Sequence, residues 1–259
     1  MPGFNTDAIL LRKIEYGDHD FIISFLTQSK GKVSVMAKNA KKSIKRFSGA
    51  LDLFSLNHIY CTFPKKNKDA LIILAQTDLE NPFANIRCDV FKTAYACYWM
   101  ELILFWLEED KAQPDVYALL LFSLDALNTD ILSKEVVSLV FQIRFMSLSG
   151  FSPNIETCGT CKTPVDSIDQ NTFWFDFQDG RMMCQNCVQK RSKYGMTVSK
   201  GTLKQLFWIN NNDIGRAERI KFSHFAVTEG ARLLEAFIAF HLGREFKTLQ
   251  FLNRLRQEK

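Results

Sequence analysis

Two short cysteine pairs constrain this chain more than any other feature in it: Cys158-Gly-Thr-Cys161 and Cys184-Gln-Asn-Cys187. At this spacing both thiolates of a pair reach one ion, and four sulfurs close a tetrahedral shell around zinc. The residues between the pairs fit a hairpin, with Thr172 to Phe177 as one strand, Gln178-Asp179-Gly180 as the turn and Arg181 to Met183 returning into the second pair. Four reduced core cysteines, or two redox pairs, are the alternatives, and paired knuckles around a hairpin favour neither. A four-sulfur shell leaves no open position for water, so Cys158, Cys161, Cys184 and Cys187 are expected to hold a structural zinc. Seven cysteines leave an odd one over, and Met1 to Ile14 lacks the basic start and apolar run of a signal peptide. A cytoplasmic location is expected, where free thiols or metal ligation are favoured over disulfides.

With 259 residues, 47% of them hydrophobic, the chain can bury a proper core. Its most apolar run, Ala94 to Leu107, is interrupted by Glu101 and is too short to span a bilayer, so it reads as a core helix. From Thr6 to about Leu79 the texture is that of strands. Ala8–Lys13, Phe21–Thr27, Lys32–Lys38, Ser55–Thr62 and Ala70–Thr77 are short β-prone runs parted by turn-rich pieces. Five strands in about eighty residues suit an antiparallel OB-fold barrel, which binds oligonucleotides across one face. An SH3-like barrel is the alternative, because the pattern does not fix strand order.

At Asn81-Pro82 the pattern turns helical: Asn81 can cap, Pro82 suits a first turn, and Phe83 to Glu108 is apolar at helical spacing. Pro114 opens a second helix to about Asn128, and Ser133 caps a third that stops at Gly150. Beyond Arg191 the helices resume: Thr202 to Ile209, about Asp213 to Lys221, Phe225 to Leu242, and about Thr248 to Arg256. The reading is thus α+β: an OB-fold over residues 1–80, then a helical domain over 81–259 into which the zinc ribbon is inserted at about 155–190.

The stretch from Lys30 to Leu51 holds Lys30, Lys32, Lys38, Lys41, Lys42, Lys45 and Arg46 with no acidic residue among them. Like charges this dense call for an external polyanion, and nucleic acid supplies one. Net charge is only +5, so clustering, not the total, carries the point. A solvated basic loop is the plainer alternative. Strand-like alternation before the run and apolar rhythm after it place the charges between strands. Phosphates would then lie on Lys38, Lys41, Lys42, Lys45 and Arg46. Phe47 is the nearest stacking candidate, or else an apolar anchor returning the loop to the core.

Signals for catalysis are missing. His19, His58, His224 and His241 form neither H-E-x-x-H nor H-x-E patterns, and there is no phosphate-cradling G-x-x-x-x-G-K-[ST] loop. Neither a metalloprotease, a zinc deaminase nor a P-loop ATPase fits.

The whole resembles one family, the bacterial recombination mediator RecO. Ala8-Ile-Leu-Leu-Arg-Lys-Ile-Glu-Tyr-Gly-Asp-His-Asp20 is similar to its first strand and turn. Ala37-Lys-Asn-Ala-Lys-Lys-Ser-Ile-Lys-Arg-Phe-Ser-Gly-Ala-Leu51 is similar to its basic segment, with Asn39 where the family usually has glycine. His241-Leu-Gly-Arg244 with Thr248 to Leu255 resembles its end. The resemblance implies a non-enzymatic mediator that binds single- and double-stranded DNA, partners RecR and the C-terminal tail of single-stranded-DNA-binding protein (SSB), loads RecA and anneals complementary strands. An acidic tail ending in an apolar residue needs an apolar slot rimmed by cations. Phe246 and Phe251 with Arg232, Arg244 and Lys247 offer those ingredients, and Arg254 adds another cation. A protein-binding scaffold with incidental DNA affinity is the rival reading.

Overall fold

A computed structural model describes residues 2–47, 49–64, 70–188, 192–212 and 222–258. Five strands open the chain: β1 (Gly3–Tyr16), β2 (Asp20–Thr27), β3 (Gly31–Ala37), β4 (Leu56–Thr62) and β5 (Ile72–Asn81). They close into a barrel in the order β1-β2-β3-β5-β4, with β4 returning to β1. That circuit is an OB-fold, and it resolves the choice between barrel types. The non-sequential step is the pairing of β3 with β5, which run parallel through Val35↔Ile72 and Met36↔Ile73. Every other neighbouring pair is antiparallel.

Local chemistry explains these strands. Along β3 buried and half-buried residues alternate at every position, so Val33, Val35 and Ala37 face the core while Lys32, Ser34 and Met36 face out. β1 serves two partners, pairing β4 with its first half and β2 with most of its length, and a bulge between Leu10 and Arg12 bends it between them. The interior is filled by Ala8, Leu10, Ile23, Phe25, Val33, Val35, Ile59 and Leu74, joined by Phe47 and Leu51 from the β3–β4 connection. Gly31 has φ 73, and a Cβ there would collide with the Lys111 carbonyl, so only glycine fits this turn.

The helices begin with α1 (Ile44–Phe47) in the β3–β4 connection, followed by α2 (Ala84–Arg87), α3 (Val90–Trp106), α4 (Pro114–Thr129) and α5 (Lys134–Leu148). The single helix expected from Phe83 onward is two, because Asp89 ends one and caps the next. Its carboxylate accepts from the Phe91 and Lys92 N–H groups. After the cysteine segment come α6 (Lys200–Asn211), α7 (His224–Leu242) and α8 (Lys247–Gln257). The helix expected at about 213–221 lies outside the described residues. No described helix is long and apolar enough to cross a membrane.

The chain forms two compact units, residues 1–128 with 251–259, and residues 129–250. In the first, α2 to α4 share a unit with the barrel, so the change of texture at residue 80 falls inside it. Glu109 and Asp110 from the α3–α4 connection lie along β3: Asp110 N–H donates to the Lys32 carbonyl at 3.0 Å, and Ser34 donates to Glu109 at 2.6 Å. In the second unit α5, α6 and α7 pack together, and a three-stranded sheet of order β7-β6-β8 lies beside them. Its strands are β6 (Thr172–Asp176), β7 (Arg181–Met183) and β8 (Gly195–Ser199). β6 and β7 are the expected hairpin. β8 is an addition: the segment past Arg191 was expected to return directly to helix, but it first pairs antiparallel with β6.

Candidate nucleic-acid interface and metal centre

The basic run occupies the end of β3 and the connection to β4. Asn39 turns the chain there in the left-handed region, φ 54, and its N–H donates to the Asp20 carboxylate at 2.7 Å. Asparagine tolerates that conformation better than other non-glycine residues, which is why it can stand at this turn. The five candidate cations then divide by role. Lys38, Lys42 and Lys45 are exposed and have no ion pair among the described residues. Lys41 pairs with Glu15 at 2.7 Å, and that hydrogen bond and charge hold the Glu15 carboxyl below its ordinary value. Arg46 donates to the Lys38 carbonyl at 2.7 Å and to Ser43 at 3.0 Å, with its guanidinium 4.8 Å from the Phe47 ring. Lys41 and Arg46 therefore also shape the loop that presents the other three. Phe47 is 5% exposed within the barrel core, so it sits as the apolar anchor and offers no open face to a base.

The fold adds residues that the charge run does not reveal. Ile14 pairs with Ile22, Ile22 with Met36, and Met36 with Ile73, so four apolar side chains form one outward row across β1, β2, β3 and β5. All are at least partly exposed, Ile14 by 40%, and Tyr16 on the same face of β1 is 54% exposed. By strand alternation Arg12 and Lys38 flank this row. The bulge after Leu10 puts Ile14 on that face, and a strict two-residue period misses it.

In the second unit the four cysteines converge. The Lys162 N–H donates to the Cys158 carbonyl at 2.9 Å, with Lys162 itself at φ 62, which turns Cys161 back toward Cys158. Gly159 N–H donates to the Met182 carbonyl at 2.8 Å, joining the first knuckle to β7. The Cys184 N–H points at the Cys158 sulfur, 3.4 Å away. All four Sγ atoms lie within 4.8 Å of one another, Cys161 and Cys184 at 4.0 Å. A tetrahedral shell with metal–sulfur bonds of about 2.3 Å needs sulfurs about 3.8 Å apart, so the donor set can hold a metal ion with small adjustments. Burial opposes the Cys158 thiolate, but the N–H groups of Cys184, Cys161 and Thr160 outweigh it and the thiol lies below its ordinary value. Cys161 is drawn down to about 6, chiefly by the Thr163 side chain, whereas Cys187 is pushed up to about 12 by its hydrogen bond with Cys184 and by lost hydration.

The candidate protein-binding residues differ in burial and fall in both units. Arg232, Arg244 and Lys247 are exposed in the second unit, with the Arg244 guanidinium 5.3 Å from the Phe246 ring. Phe246 is 1% exposed and is core; Phe251, 43% exposed, falls with the first unit, as does the exposed Arg254. A separate cavity of about 390 Å³ opens between the starts of α5 and α7, lined by Leu132, Val136, Phe222 and Val227 among others.

A closed OB barrel with a cation-bearing β3–β4 connection, followed by a helical body that carries a four-cysteine ribbon, defines the class: an OB-fold protein with an appended helical and cysteine-ribbon portion. Comparison with known proteins narrows it. The family profile described as Recombination protein O N terminal matches residues 1–83, and that described as Recombination protein O C terminal matches residues 87–250. DNA repair protein RecO of Desulfatibacillum aliphaticivorans is 42% identical over 257 residues, 99% of each chain. RecO of Desulfosudis oleivorans is 37% identical, again over 99% of each chain, and RecO of Symbiobacterium thermophilum 30% over the full length of both. The chain belongs to the RecO family of DNA repair proteins.

Proposed function

We propose that this chain is a non-enzymatic mediator of DNA repair and homologous recombination, acting in the cytoplasm. It binds single- and double-stranded DNA on its OB domain, residues 1–80, anneals complementary strands, and with RecR helps load RecA onto strands coated by SSB. The observation that carries the DNA reading is the trio Lys38, Lys42 and Lys45, exposed and without ion pairs among the described residues, beside an outward apolar row. Phosphates neutralise the cations while bases lie against Ile14, Tyr16, Ile22 and Met36, an arrangement that selects no sequence and suits annealing. In the helical domain, residues 81–259, zinc on Cys158, Cys161, Cys184 and Cys187 ties the ribbon and does no chemistry. Arg232, Arg244 and Lys247 supply cations for the acidic SSB tail.

Fluorescence anisotropy with oligonucleotides across a salt series tests the proposal. Replacing Lys38, Lys42 and Lys45 together by alanine should flatten the slope of log K against log salt by about 2 for single strands, roughly 0.7 per lost contact. An unchanged slope would leave these lysines as solvated surface and favour the scaffold reading.

A further inference from the structure

We infer that Glu109, in the connection between α3 and α4, makes the nucleic-acid face of the barrel prefer single strands to duplex, a role that rests on the DNA-binding reading of that face. β5 pairs with β3 only at Val35 and Met36. Nearer the start of β3 the connection takes that place: Glu109 bridges Lys32 in parallel, and the Asp110 N–H donates to the Lys32 carbonyl at 3.0 Å. The Lys32 ammonium donates to the Leu104 carbonyl at 2.8 Å, so this cation of the basic run is spent inside the protein. The Glu109 carboxylate accepts from the Ser34 hydroxyl at 2.6 Å. Ser34 faces out two residues before Met36, which puts the carboxylate beside the apolar row, on the side opposite Lys38. Glu109 is exposed and has no ion pair among the described residues, whereas its neighbour Glu108 pairs with Lys111.

Strand register then gives a charge map of the face. Arg12 pairs with Ser24, and Ser24 with Ser34, so exposed Arg12 on β1 and Glu109 on β3 end one row. Ile14, Ile22 and Met36 form the middle row. Tyr16 pairs with Asp20 in the third, which Lys38 ends just past β3, and the Asp20 carboxylate there already accepts from the Asn39 N–H. Cations therefore stand at opposite corners. One phosphate backbone can run diagonally from Arg12 to Lys38, about 16 Å, with its bases over the apolar row, and continue to Lys42 and Lys45.

A duplex brings a second backbone. Its grooves are about 6 and 12 Å wide, and Lys38 and Ser34 are about 13 Å apart, four residues along an extended strand. With one backbone on Lys38, the other falls beside Glu109, where like charges oppose it. Because the connection is seated on β3 by backbone and side chain alike, that charge stays at the edge of the face.

Fluorescence anisotropy with a labelled single strand and a duplex of equal length, at about 0.1 M salt so that charges within about 10 Å still act, tests this on the full chain. Glu109→Gln should raise duplex affinity about threefold or more and single-strand affinity by less than about twofold. Glu109→Asp, which keeps the charge, should retain most of the preference. Glu108→Gln removes a charge from the same connection that Lys111 already balances, and should leave the ratio of the two affinities unchanged. An unaltered ratio in folded Glu109→Gln overturns the proposal, as does an equal shift in Glu108→Gln, which would reduce the effect to net charge. If Glu109→Gln fails to fold, Glu109→Ala decides on the same readings. An unaltered chain that binds neither form defeats the DNA reading itself, and the preference with it.

Discussion

Phe47 and His241 show how a single side chain can be read two ways until its surroundings are known. Beside a basic run, an aromatic suggests stacking, yet Phe47 fills the barrel with Leu51, Ala37 and Ile59. Phe47→Ala should therefore cost about 3 to 5 kcal/mol in a denaturant titration, as for other buried phenylalanines. Phe47→Leu should keep most of the DNA affinity. His241 belongs to no metal-binding or catalytic pattern in the sequence. In the fold it lies among Phe151, Phe237 and Phe240, with ring centroids 4.8, 4.4 and 5.4 Å away. Burial lowers its pKa, and the Phe177 carbonyl offsets part of that. The folded pKa thus lies below the unfolded value of about 6.5. The stability associated with neutral His241 is present above about pH 6.5 and is lost as pH falls from there through the folded pKa. Thermal unfolding of His241→Asn across that window should show a shallower acid-side decline than the unaltered chain.

At the level of elements, legibility follows how regular the local pattern is. β3 alternates without interruption, and its residues could be assigned inward or outward from sequence. The β3–β5 pairing could not, since it rests on two residue pairs closing a parallel contact across the whole intervening segment. Nor could the break at Asp89, because the residues on both sides of it are apolar and Ile86 is buried like Tyr95 and Trp99 beyond it. A cap, not a change in hydrophobicity, separates α2 from α3 there. Asp89→Ala should cost about 0.5–2 kcal/mol, measured by urea unfolding, while Asp89→Asn or Asp89→Ser should restore most of it. β8 is short, and only Val198 of its five residues is buried, so it gave no alternation to read. The cysteine knuckles were legible because their spacing is itself the geometry. The apolar row of Ile14, Ile22, Met36 and Ile73 was not, since each member sits on a different strand.

For the whole molecule, the ribbon and the return of the chain end matter most. If the four cysteines hold zinc, metal analysis should give about one equivalent per chain, and Cys184→Ser should release it together with stability in the second unit, because metal binding to such a shell is folding free energy. An unchanged metal content in folded Cys184→Ser would place the metal elsewhere. The two units also differ in how their chain is arranged. Residues 129–250 form one uninterrupted stretch, whereas the first unit takes in residues 251–259 as well. Leu252 is fully buried, and Arg256 reaches the Tyr95 hydroxyl at 3.2 Å with its guanidinium 5.2 Å from the ring.

A ribosome delivers the chain from its N-terminus, so the unit begun first is among the last to be finished. At roughly 5–20 residues per second, several seconds to tens of seconds pass between emergence of α4 and of the residues that cover Tyr95. Throughout that interval the nascent first unit lacks both the buried Leu252 and the contact of Arg256 with Tyr95.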